Sequence, residues 1–147
     1  MPTKHGKLPT QPCNFRGTLR YASPNAHKKM ELGRSDDLIS LLYMMIEFFS
    51  GKLPWADTYN YDEILQLKLE SIHSSLIQRM PPEFQAFEDH IYSLDYLDEP
   101  DYAMLTQLLC TVASKAGIDL NEPFEWEAEI REQKEIIQHK KNNGTMN

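Results

Sequence analysis

An all-α fold is what this sequence predicts, and three observations carry the prediction. The stretch "SDDLISLLYMMIEFFSG" is apolar on every helical face and is bounded at both ends by helix signals. Several further windows repeat apolar residues at three- and four-residue spacing. No segment alternates apolar and polar residues convincingly enough to read as a strand.

The elements follow in order. Residues 1 to 26 hold Pro2, Pro9, Pro12 and Pro24 with no sustained period, and read as a loop or arm. Ser35 caps the next helix, Asp36 and Asp37 complement its N-terminal dipole, and Gly51 closes it. Leu38, Ile39, Leu41, Leu42, Tyr43, Met44, Met45, Ile46, Phe48 and Phe49 surround the axis. This helix falls short of the ~18 apolar residues of a membrane span, so its composition predicts a central helix with neighbours on all sides. A second helix is predicted over 60 to 72, with Ile64, Leu65, Leu67, Leu69 and Ile72. A third begins at Pro82 and runs to Leu94, because Pro suits a helical first turn. A fourth spans about 101 to 116, from Asp101 to Gly117, with Leu105, Leu108, Leu109 and Val112 on one side. "EAEIREQKEIIQHKK" reads as a charged surface helix with Glu127 and Arg131 four apart, and residues 142 to 147 are expected to fray.

With 147 residues, 41% hydrophobic and 25% charged, the chain is expected to form one globular domain and not a disordered tract. The N-terminus lacks the apolar stretch of a signal peptide, which predicts a cytoplasmic or nuclear protein away from membranes. Cys13 and Cys110 have neither disulfide nor zinc spacing and read as free thiols. His5, His27, His73, His90 and His139 are scattered without ligand spacing, so no metal site is expected. The net charge of -7 conceals an asymmetry: residues 1 to 34 carry Lys4, Lys7, Arg16, Arg20, Lys28, Lys29 and Arg34 against Glu31 alone. A basic lip on an acidic body can attract an anion locally, since screening confines the field to ~10 Å, while the acidic whole disfavours duplex nucleic acid; composition alone equally allows a solvated basic loop with no ligand. There is no HExxH, no GxSxG, and a Ser23-His27-Asp37 triad is suggested only by nearness in sequence.

Taken in series, "FRGTLRYASPNAH", "GRSDDLISLLYMMIEFFSGKLPW", "SLDYLDEPDY" and "FEWE" resemble the C-terminal lobe of casein-kinase-type Ser/Thr protein kinases, nearest to the tau-tubulin kinase branch. The resemblance covers roughly residues 12 to 126. It implies a basic arm over 1–16 left from the activation segment, a helical kinase lobe over 17–126, and a charged tail over 127–147. It also implies roles for single residues. Thr18 would face the catalytic site in the loop that receives the peptide substrate. Arg20 would offer its guanidinium to an acidic or phosphorylated side chain, for which a planar fork of donors is well suited. Asp37 would be structural, accepting hydrogen bonds from a catalytic-loop backbone. "SPN" at 23 to 25 replaces the Ala-Pro-Glu of most kinases, so their buried Glu-Arg pair should be missing. Leu42 stands where many kinases have Gly, which matches the tau-tubulin branch.

Phosphoryl transfer also needs a cover and a Lys for the ATP phosphates, an Asp to orient the hydroxyl, and an Asp-Asn set for magnesium. No GxG, His-x-Asp or Asp-Phe-Gly occurs here. The resemblance therefore implies an incomplete kinase: no catalytic residue, no cofactor in this chain although its relatives would use ATP and Mg, and no activity alone. The alternative is a reduced pseudokinase that binds acidic or phosphorylated peptides. The helices that flank the central helix in such kinases would be absent, so part of its apolar surface would be exposed and would need a covering partner, leaving the isolated chain marginal or aggregation-prone.

Overall fold

In the computed structural model, which describes residues 19–144, every regular element is a helix. These are α1 (Pro24–His27), α2 (Arg34–Ser50), α3 (Tyr61–Ser71), α4 (Ser75–Gln78), α5 (Glu83–Tyr92), α6 (Tyr102–Lys115) and α7 (Glu125–Asn143). The expected arm over 1–16, Thr18 and Cys13 lie outside the described residues. No helix among the described residues is long and apolar enough to cross a membrane.

Local chemistry sets the helix ends. The N-cap of α2 is Gly33, not Ser35, because the Asp36 carboxylate reaches back and accepts the Gly33 N–H at 2.8 Å, while the Asp36 N–H donates to the Gly33 carbonyl at 3.2 Å. Its far end closes where Gly51 takes φ +81° and donates to the Glu47 carbonyl at 2.8 Å, a left-handed cap that a side chain would strain. Asn60 caps α3 by accepting the Glu63 N–H at 3.0 Å. Asp101 does the same for α6 through the Met104 N–H at 3.0 Å. The single-turn helices α1 and α4 begin on Ser23 and Ser74, whose hydroxyls accept N–H bonds from Ala26 and Leu76.

The chain divides into two compact units after Val112. In the first unit, α2 packs on α5 and α1 on α3. The core joins Leu38, Leu42, Tyr43 and Ile46 of α2 to Trp55 in the turn after it, Ile64 of α3, and Phe84, Phe87 and Ile91 of α5. Tyr43 and Trp55 meet edge to face, with centroids 4.8 Å apart. The second unit carries α7, where Ile130, Ile136 and Ile137 are exposed and Phe124 stacks on Trp126.

The all-round burial expected of α2 is not what the structure shows. One face is sealed against α5 and the turn, but Leu41 and Phe48, seven residues apart, and Phe49 beside them remain exposed, Phe48 by 81%. A uniformly apolar sequence carries no information about which side receives neighbours.

Candidate functional site

The strongest convergence of polar groups lies beneath residues 19–27, the described part of the basic loop. Lys68 is the centre of it. This residue sits one turn after Ile64 on the inward face of α3 and has no solvent exposure. Its ammonium donates to the Leu19 carbonyl at 2.6 Å and the Ala22 carbonyl at 2.7 Å, and lies 2.9 Å from His27 Nε2. Three donors thus meet three acceptors, which fixes His27 Nε2 as the lone-pair nitrogen. The Tyr43 and Trp55 rings lie 5.6 and 5.5 Å from the same ammonium and face it with their electron-rich sides.

A cation held there is not free of cost. Burial lowers the Lys68 pKa to about 8. Burial, and then the Lys68 charge, lowers that of His27 to about 4, so His27 is a neutral acceptor at physiological pH.

Other elements hold the same loop. Trp55 Nε1 donates to the Arg20 carbonyl at 2.8 Å, and the Tyr61 hydroxyl donates to the His27 carbonyl. The Tyr21 hydroxyl donates to Glu47 Oε1 at 2.6 Å. From α2, Asp36 accepts the Ser23 hydroxyl at 2.7 Å and the Asn25 amide at 3.3 Å on one oxygen, and the Gly33 N–H on the other. The "SPN" sequence therefore joins a neutral network around a buried aspartate.

Of the residues singled out by sequence, Thr18 lies outside the described residues. Arg20 has its side chain half in solvent, with Nη1 3.8 Å from Glu47 Oε2, and Lys28, Lys29 and Arg34 are exposed nearby in sequence. Asp37 is exposed in the first turn of α2, and the internal hydrogen bonds go to its neighbour Asp36. Ser23, His27 and Asp37 form no triad: the serine faces Asp36 and the His27 Nε2 faces Lys68. Sequence reasoning missed Lys68. The available signal was its place on the Ile64 stripe of α3, between Leu67 and Leu69.

The arrangement can hold a stretch of backbone rigid while presenting cationic side chains to solvent. That suits capture of an anionic peptide group. Replacing Asp36 with Ala removes the acceptor of three donors at once and should cost about 2–3 kcal/mol in urea denaturation. The exposed Asp37→Ala should cost below about 1 kcal/mol.

No protein-family model matches the chain. Among curated proteins, one named as a probable serine/threonine-protein kinase from Dictyostelium discoideum is 42% identical over 115 residues, which is 78% of this chain and 23% of that protein. An inactive tau-tubulin kinase from Caenorhabditis elegans is 37% identical over 118 residues, or 80% of this chain and 41% of the relative. The chain is kinase-related over most of its length, and it spans less than half the length of these relatives.

Proposed function

We propose that this chain is the helical, peptide-presenting lobe of a Ser/Thr kinase of the tau-tubulin type, acting in the cytoplasm or nucleus. The observation that carries this reading is the loop at 19–27: its backbone is tied to α3 and the Trp55 turn and its side chains to α2, while the Arg20 side chain stays half in solvent. A loop fixed in this way holds the Arg20 backbone ready for an acidic or phosphorylated residue, so little backbone ordering entropy opposes binding. Since none of the ATP- or magnesium-binding motifs is in the sequence, the chain alone transfers no phosphate. Incubation with labelled ATP, Mg and a peptide should give incorporation equal to a no-protein control.

A second reading, a peptide-binding module without any catalytic role, is favoured by one observation: a relative that matches 80% of this chain is itself named as inactive. Both readings place the anion at Arg20. Titration of a phosphoserine peptide should show about fivefold weaker binding to Arg20→Ala than to wild type, the size of one half-exposed ion pair with Glu47 competing. Equal affinities would remove Arg20 from the site.

A further inference from the structure

We propose that His73, Glu88 and Asp89 form a binding site for one divalent cation of the zinc class, independent of the peptide loop. His73 lies between α3 and α4, and the two carboxylates are adjacent on α5. Nδ1 of His73 is 3.0 Å from Glu88 Oε1 and 3.2 Å from Asp89 Oδ1, and one donor atom from each residue falls within 4.8 Å of the others. A tetrahedral zinc with bonds of about 2.0–2.1 Å has ligand-to-ligand edges of about 3.3 Å, so this nitrogen and these two oxygens need only small movements to share an ion.

The mixed donor set suits zinc, with one imidazole nitrogen and two carboxylate oxygens. Glu88 is 3% exposed and is the anchoring ligand. The His73 backbone N–H donates to Glu88 Oε1 at 3.1 Å and orients that oxygen, the role an outer hydrogen bond plays at metal centres. When the imidazole is neutral, two carboxylates share one N–H; a dication in its place neutralises both. Binding through Nδ1 requires the tautomer with its proton on Nε2. The side chains of His73 and Asp89 are 55% and 57% exposed, which gives an ion entry from solvent and leaves room for water as the fourth ligand. Sequence spacing gives no hint of the set, because His73 and Glu88 are fifteen residues apart and meet only when α4 folds between them.

Calorimetric titration of the chelator-treated full chain with zinc chloride tests the proposal. The expected result is one saturable site, with affinity reduced at least tenfold in His73→Gln and in Asp89→Asn, and unchanged in His139→Gln on α7. Asp89→Asn alters an exposed side chain and keeps the result readable if His73→Gln unfolds the chain. Absence of saturable binding, or zinc affinity in Asp89→Asn equal to wild type, overturns the proposal.

Discussion

Lys68→Met should lower the stability of the first unit by about 2–4 kcal/mol, read as a shift in the urea midpoint. Methionine preserves the length and bulk of the stem but takes away all three donors. The carbonyls of Leu19 and Ala22 and Nε2 of His27 then face a thioether methyl in a space without exposure. Each acceptor left without a donor costs on the order of 1–3 kcal/mol, and relief from burying an ammonium offsets part of the sum. Replacing a buried ion with an apolar group is harmless only when its partners change too, and here two are backbone. The variant should also speed amide hydrogen exchange over residues 20–27 more than in α5, because these bonds tie the loop to α3. Wild-type midpoint and exchange would mean that Lys68 does not hold the loop.

Acid should destabilise the same unit. His27 titrates near pH 4 in the fold against an ordinary value of 6.5, with burial the larger cause and the Lys68 charge the smaller. Between those values the unfolded chain binds a proton that the folded chain does not. Stability is therefore full above about pH 6.5 and is lost as pH falls through about 4, by about 3 kcal/mol in all. His27→Gln should flatten that limb of the stability profile. In Lys68→Met the limb should shrink without vanishing, since burial persists when the neighbouring charge is gone. On the alkaline side, Lys68 titrates near 8 in the fold against 10.5, so the unfolded chain again binds the extra proton and stability should rise from about pH 8 toward 10.5. A flat wild-type profile from pH 7 to 4 would show that His27 is not buried as a neutral acceptor.

The helical class and the main boundaries were legible because they rest on local chemistry. Gly51 and Asp101 act over one turn, and the sequence displays them directly. The single-turn helices α1 and α4 escaped because a lone Ser cap is too brief to establish a period. The facing of α2 could not be read, since Leu42 and Leu41 are equivalent residues with opposite fates, one sealed against the core and one exposed. The site was half legible. The motif order marked the loop and Arg20, yet its main anchor is a lysine, a residue type that sequence reading assigns to solvent unless paired. Its acceptors come from Leu19, Ala22 and His27, more than forty positions away in chain order, and only the packing of α1 on α3 brings them to it.

Residues 19–27, in the proposed function, form a held platform for an anionic peptide. Amide chemical-shift mapping during titration with a phosphoserine peptide reads whether that platform is engaged. Shifts concentrated at Leu19 to Lys28, with saturation weakened by added salt, are the predicted result. No shift at millimolar peptide, or shifts confined to α7, would contradict it.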